Sequence, residues 1–267
     1  MIGFLVPVKS EQLSSDWHLF SQLVMRSLKS ISGQKDGDFQ IIVACHELPE
    51  NPLEHPQISY IQVDFEPPRL TENGDWEEDR QRKEADKARK IVSAYEYANE
   101  HFDVDYYMVV DSDDLIHHGI SKYVNARVGT NAPGWFVKKG YFYREGEKLA
   151  WKIRSNFNVR CGTCIIIRKD LFPQLIIKDP YLYYYHEKTE LADGVTLEPL
   201  PLAGALYSMA NGENHYMSKN IMVKMVNQTK FFTLDHIRSV ISKVTRYRPR
   251  LIGNRCKKTY NFYSISQ

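Results

Sequence analysis

Residues 105–114 read Asp105-Tyr106-Tyr107-Met108-Val109-Val110-Asp111-Ser112-Asp113-Asp114. A short apolar, β-favouring run ends abruptly in a cluster of carboxylates. Such a run predicts a strand buried on both faces, inside a sheet covered by helices. The acids then leave the sheet at its carboxyl edge, where open α/β sheets place their ligands. Ionised carboxylates are costly to bury without compensation. Asp111 and Asp113, two residues apart, are therefore candidate ligands of a hard divalent cation, Mn²⁺ or Mg²⁺, that also takes phosphate oxygens. The bland alternative is an acidic loop in which Asp113 or Asp114 caps the next helix.

Working outward, residues 2–8 form an apolar run interrupted at Pro7 and predict the first strand. Residues 13–31 carry Leu19, Phe20, Leu23, Val24, Leu28 and Ile31 at helical spacing, closed by Gly33 and Gly37. Residues 39–45 predict a second buried strand and residues 58–65 a third, stopped by Pro67-Pro68. This alternation predicts an α/β fold of parallel crossover units with helices covering the sheet. Residues 70–85 are polar and charged and read as a surface loop. A helix follows over residues 83–100, with Ala88, Ile91, Val92, Tyr95 and Ala98 on one face. Further strands are expected at 135–137, 139–143 and 164–168.

The 267 residues are 43% hydrophobic and 25% charged, which excludes a disordered, collagenous or coiled-coil chain. No apolar run approaches the roughly 20 residues of a membrane-spanning helix. The four cysteines and the absence of a secretory-type N-terminus lead us to expect a reducing, cytoplasmic setting. The net charge of +2 hides an asymmetry: residues 230–267 hold nine Lys and Arg against a single Asp, and the remaining 229 residues hold 26 basic against 32 acidic ones. Within that basic extension, residues 234–244 predict an amphipathic helix. With Arg246, Arg248, Arg250, Arg255, Lys257 and Lys258 beyond it, the helix offers contact with an anionic membrane, against the alternative of packing on the domain. No nucleic-acid partner is expected, because the acidic body repels phosphate.

Three segments together resemble the GT-A glycosyltransferases, closest to the family 2 type. They are Pro7-Val8-Lys9 at the end of the first strand, Cys45-His46-Glu47 at the end of the second, and residues 106–114. Ala88-Arg89-Lys90 is similar to the Ala-Arg-Asn on the helix before that family's metal motif. Asn158-Val159-Arg160-Cys161-Gly162-Thr163 and Asn211-Gly212-Glu213-Asn214-His215 continue the resemblance more loosely. It implies a Rossmann-like, GT-A mixed sheet flanked by helices, in a single domain over residues 1–229 with a basic C-terminal helical extension over 230–267. Residues 1–115 would bind the nucleotide sugar and residues 116–229 the acceptor. It implies transfer of a sugar from a nucleotide-diphosphate sugar, a UDP-sugar by resemblance, to a saccharide or other hydroxyl acceptor, with inversion. By the same resemblance Pro7, Val8, Lys9 and Glu47 cradle the nucleotide, Asp111 and Ser112 face the ribose or a partner, and Asp113 holds the metal with His215. The usual carboxylate pair at the end of the second strand is replaced here, and Glu47 is the acid that remains.

Lys87 and Lys90, three apart on the predicted helix, share a face and would neutralise a diphosphate, or else form a solvated face. For the catalytic base an inverting transfer needs a carboxylate beside the acceptor hydroxyl. Glu187, after the tyrosine run 181–185, is the candidate and Asp193 the reserve, with helix capping the alternative role. The tyrosines themselves suit sugar or base stacking as well as interfacial packing. Cys161-x-x-Cys164 is not expected to be a redox or zinc site, since a strand rather than a helix follows and no second pair exists. Three other readings compete: a haloacid-dehalogenase-like phosphatase using Asp111-x-Asp113, a nucleotidyltransferase, and a non-catalytic nucleotide-sugar-binding protein. The first is disfavoured by Leu115 and the long preceding segment, and the second by the absence of a Gly-rich loop after the first strand.

Overall fold

The computed structural model describes residues 1–209, 211–212 and 247–265. The predicted helix 234–244, Arg246, and His215 with Asn214 lie outside the described residues.

Strand β1 (Ile2–Pro7) is an interior strand of the larger sheet. It pairs in parallel with β2 (Phe39–Cys45) on one side and β4 (Tyr106–Val109) on the other. β3 (Ile58–Gln62) extends the sheet beyond β2, again in parallel. Beyond β4 the direction reverses: β9 (Ile165–Arg168) is antiparallel to it, then β6 (Gly134–Phe136) antiparallel to β9, and β12 (Glu198–Pro199) closes the edge. Among the described residues the order is β12-β6-β9-β4-β1-β2-β3. The expected fold class, a mixed α/β sheet flanked by helices in one domain, is what the chain adopts. The strands of residues 2–8, 39–45 and 105–110 are buried along their length because helices cover both faces.

Helix α1 (Trp17–Ser32) starts later than its apolar period suggests. Asp16 sets the start by accepting the Leu19 backbone N–H at 2.9 Å, and Leu13 ends a separate 3-10 turn. α2 (Trp76–His101) starts earlier: residues 76–82, expected as loop, are its first two turns. Asp75 caps it through the N–H groups of Glu77 and Glu78. Arg80 bridges Glu77 and Glu84, and Arg82 bridges Glu78. These i,i+3 and i,i+4 pairs support a helix segment that has no apolar stripe to betray it.

A second sheet runs β14 (Tyr247–Leu251), β8 (Leu149–Ile153), β7 (Lys139–Arg144), β13 (Ala203–Met209) and β5 (Leu115–Ile116). The described part of the basic extension is woven into the domain. β14 pairs antiparallel with β8, and the following helix α4 (Asn254–Tyr260) buries Tyr260, with Phe262 just beyond it, against Leu115, Tyr143 and Leu206. The hairpin of β10 (Ile176–Ile177) and β11 (Tyr183–Tyr184) packs against α2. The short helix α3 (Ile120–Asn125) packs against β1.

Candidate donor and metal site

β1 leads away to β2 on one side, and β4 stands on its other side. Their carboxyl ends therefore flank the point where the strand order reverses, the crevice in which such sheets bind ligands. Pro7-Val8-Lys9 leaves β1 there and Asp111-Ser112-Asp113 leaves β4 there. The Pro7 and Val8 side chains are buried in the core, and the Val8 N–H is bonded to the Ala44 carbonyl at 2.8 Å. What these two can offer a ligand is shape and backbone, whereas Lys9 carries its ammonium over the Phe20 ring at 4.6 Å.

The three acids have three environments. Lys87 Nζ donates to Asp111 Oδ1 at 2.5 Å. Burial alone would depress the Lys87 pKa, but the attraction of Asp111 and its hydrogen bond, helped by Asp114 and Asp113, raise it above the usual lysine value. The Asp113 carboxyl is pushed up to about 6, by burial first and by Asp111 second, against the pull of Asn211 and Lys9. Asn211 Nδ2 donates to Asp113 Oδ2 at 2.7 Å. Asp114 is fully buried and structural: its carboxyl accepts from Thr163 Oγ1, Cys161 Sγ and the Ser208 N–H. Burial raises its pKa well above the carboxylate range, with the Asp113 and Asp111 charges adding to the rise. Thr163 joins the group together, since its Oγ1 also accepts the Asp111 N–H at 2.9 Å. Ser112, between the two outer acids, is buried.

Gly162 closes the crevice from the turn before β9. A Cβ built there would lie 2.6 Å from Asp111 Oδ2 and 3.2 Å from Lys87 Nζ, so any larger residue would displace the pair. Cys161 and Cys164 sit in the same turn rather than on a strand. Both thiols are buried, with pKa values far above the ordinary one through desolvation, as suits packed and inert sulfurs.

Lys90 does not share the Lys87 site. Its ammonium is inside the core, bonded to Asp86 Oδ2 at 2.7 Å, while Asp86 Oδ1 meets His46 Nε2 at 2.8 Å. Burial lowers the Lys90 pKa despite this partner. Glu47, the remaining acid at the end of β2, accepts the Glu11 N–H at 3.2 Å and so ties this edge to the loop after β1.

Sequence reasoning did not foresee Asn211, Ser208, Arg26 or Glu145 as one network. Ser208 Oγ donates to Glu145 Oε1 at 2.6 Å, and the fully buried Arg26 pairs with the same carboxylate. Asn211 Nδ2 reaches Ser208 Oγ at 3.4 Å and so connects this ion pair to Asp113. The signal in the sequence is a lone Arg on the apolar side of α1, which must be paired if buried.

Glu187 lies in a turn after β11, not at the start of a helix, so a capping role is excluded. It is 42% exposed with His186 Nε2 at 4.0 Å. Burial pushes His186 down to about 4, with Lys87 lowering it further and Asp111 and Glu84 opposing. The His186 carbonyl accepts from Cys164 Sγ at 3.2 Å, which sets this turn against the one whose Gly162 backs the Lys87–Asp111 pair. Asp193 is an exposed turn residue with φ of 59°.

The residues fit a divalent cation. Two carboxylates in one crevice, the Asp113 carboxyl destabilised by its neighbour's charge, and hard oxygen donors match Mg²⁺ or Mn²⁺ bound jointly with phosphates. Among the described residues, no group of three His, Cys, Asp or Glu gathers to hold a metal unaided.

No family model matches the chain. No curated protein matches it either. Among solved structures, S. aureus TarS residues 1–349 aligns with a TM-score of 0.43 at 13% identity, covering 78% of this chain and 60% of that one. The same TarS segment in complex with UDP-GlcNAc aligns at 0.44 and 13% identity, covering 88% and 68%. Bifunctional IspDF from Campylobacter jejuni aligns at 0.39 and 12% identity, covering 84% and 53%. The chain thus spans about 60% of the length of the first of these, and the fold class rests on the strand order and register above.

Proposed function

We propose that the chain is a metal-dependent glycosyltransferase moving a sugar from a nucleoside-diphosphate sugar, specifically a UDP-sugar, to an acceptor hydroxyl with inversion. The observation that supports it is the meeting of Asp111 and Asp113 with Lys87 and Lys9 at the reversal point between β1 and β4. Carboxylates and ammonium groups of this kind serve a polyanionic ligand that brings its own cation better than they serve a neutral one.

In this reading Asp111 and Asp113 hold the cation, with His215 as a further ligand. Pro7, Val8, Lys9, Ser112 and Glu47 shape the nucleotide pocket. The cation supplies electrostatic stabilisation of the diphosphate as it leaves. Lys87 keeps its proton through the neutral range because of Asp111, and so adds a fixed positive charge on the leaving-group side. Glu187 accepts the proton of the acceptor hydroxyl while its oxygen attacks the anomeric carbon from the face opposite the diphosphate. The free thiols suit a cytoplasmic setting, and the basic extension would meet an anionic membrane.

Calorimetry of UDP binding with and without Mn²⁺ tests the donor reading. Tight binding should require Mn²⁺ and vanish in Asp113→Ala. Binding indifferent to metal in both proteins would sink it.

A further inference from the structure

The tyrosine run is not used by the donor site. Along β11 the side chains alternate. Tyr184 turns into the core, while Tyr181, Tyr183 and Tyr185 share the other face. Their rings form a ladder, with centroids 5.4 Å apart between Tyr181 and Tyr183 and 6.1 Å between Tyr183 and Tyr185. Tyr185 is 39% exposed and the other two are half-buried.

The ladder continues onto α2. Tyr181 donates its hydroxyl to Glu84 Oε2 at 2.8 Å, and Arg80 Nη1 donates to Glu84 Oε1 at 2.9 Å. The Arg80 guanidinium lies over Trp76 at 5.7 Å, and Trp76 is 60% exposed. Lys87 stands three residues beyond Glu84 on the same helix face and pairs with Asp111. At the other end of the ladder, Tyr185 is followed by His186, whose carbonyl accepts from Cys164 Sγ at 3.2 Å in the turn that also brings Gly162 against the Lys87–Asp111 pair. An aromatic surface thus runs from exposed Trp76 to the edge of the donor crevice. Behind it the Tyr184 hydroxyl is buried without a hydrogen-bond partner among the described residues.

The mixture of rings and charges selects the ligand. A sugar ring offers a face of polarised C–H bonds, which an aromatic π-face receives, and a rim of hydroxyls, which paired charges such as Arg80 and Glu84 receive. A lipid or apolar peptide would want a continuous apolar patch, whereas each ring here carries a hydroxyl or lies against a charge. A nucleic acid would want uncompensated cations, whereas Arg80 is bridged to Glu77 and Glu84.

We propose that Tyr181, Tyr183 and Tyr185, with the Trp76–Arg80–Glu84 face of α2, form the acceptor site. Its ligand is an oligosaccharide of at least two rings lying along the ladder, with the reacting hydroxyl toward Glu187. This rests on the transfer reaction proposed above and narrows its acceptor to a saccharide.

The test is a glycan array carrying hexose, N-acetylhexosamine, deoxyhexose and uronate oligomers, probed with three proteins: wild type, a Tyr183→Ala/Tyr185→Ala variant and a Tyr183→Phe/Tyr185→Phe variant. Thermal unfolding and UDP–Mn²⁺ affinity are measured alongside. The wild type should retain one class of saccharide, the Phe variant should hold it within a few-fold, and the Ala variant should weaken by about tenfold or more, the scale of one lost stacking contact. UDP affinity should be equal in all three. Retention of no saccharide by a wild type that binds UDP overturns the proposal, as does an Ala variant that binds as the wild type does. Saccharide retention without UDP binding upholds the ladder as a saccharide site and overturns only the transfer reading.

Discussion

Lys87 Nζ stands 2.5 Å from Asp111 Oδ1, and this contact divides the work of the two outer acids. Asp111 is neutralised from within the chain. Asp113 has an amide from Asn211, and its pKa is raised by burial and by Asp111. An incoming cation therefore gains most at Asp113, while Lys87 fixes the charge and position of its neighbour.

Replacing Lys87 by Met keeps the aliphatic stem and removes that charge. The metal-free variant should lose about 1–3 kcal/mol, between the values of exposed and fully buried pairs, because the Lys87 side chain is partly open to solvent. Added Mn²⁺ should then stabilise it more than it stabilises the wild type. Equal melting temperatures of the two proteins without metal would show that the pair does no such work.

The raised Asp113 pKa makes a pH prediction. A carboxyl at about 6 in the folded chain, against about 4 when unfolded, binds its proton more tightly in the native state. This group therefore contributes stability below about pH 4 and loses it as pH rises to about 6. His117 and His186, both pushed down to about 4 chiefly by burial, act in the opposite sense and gain stability as pH rises over a similar range. The informative quantity is the difference between wild type and Asp113→Asn in urea unfolding. The wild type should fall relative to the variant as the pH rises across that interval. Parallel curves would refute the assignment.

Asn211 positions Asp113 from the second sheet through Ser208 and the Arg26–Glu145 pair. Asn211→Ala should weaken Mn²⁺-dependent UDP binding about 10- to 100-fold, the usual scale for losing a partner that orients a metal ligand. Arg26 and Glu145 remain in place, so the melting temperature should move little by comparison. Equal losses of fold and binding would make the role merely structural.

The buried strands and the acid motif are legible because each rests on local pattern: a continuous apolar run, then carboxylates that a sheet interior cannot hold. The first turns of α2 are not, since residues 76–82 are held by Arg80 and Arg82 ion pairs and not by an apolar stripe. Lys87 and Lys90 look equivalent on a helix, yet one reaches Asp111 and the other is sealed in with Asp86 and His46. The Lys90–Asp86 pair is local, four residues apart on α2, but the acid that Lys87 meets and the imidazole that joins Asp86 follow β4 and β2, far away in sequence. The network from Arg26 to Asn211 spans 185 positions and has no local signature.

Gly162 sets how closely its turn backs the Lys87–Asp111 pair. In Gly162→Ala the new Cβ meets Asp111 Oδ2 at 2.6 Å, so the Lys87–Asp111 pair must shift while the surrounding turn stays. Donor affinity should fall sharply with circular dichroism unchanged. A variant that binds UDP–Mn²⁺ as the wild type does would mean the crevice is wider than this approach implies.

The last prediction separates transfer from donor binding. Glu187→Gln keeps size and hydrogen bonding but cannot take a proton. The donor residues Asp111, Asp113 and Lys9 lie on the loops after β4 and β1, whereas Glu187 is on the turn after β11, so UDP affinity should stay within a few-fold. Loss of a general base costs about 10²–10⁴-fold in rate, and transfer should collapse by that much. Wild-type transfer by Glu187→Gln would remove Glu187 from the mechanism. Asp193 would be a weak successor, because it is exposed in a left-handed turn. The product's anomeric configuration would then decide whether an inverting mechanism needs a base from this segment at all.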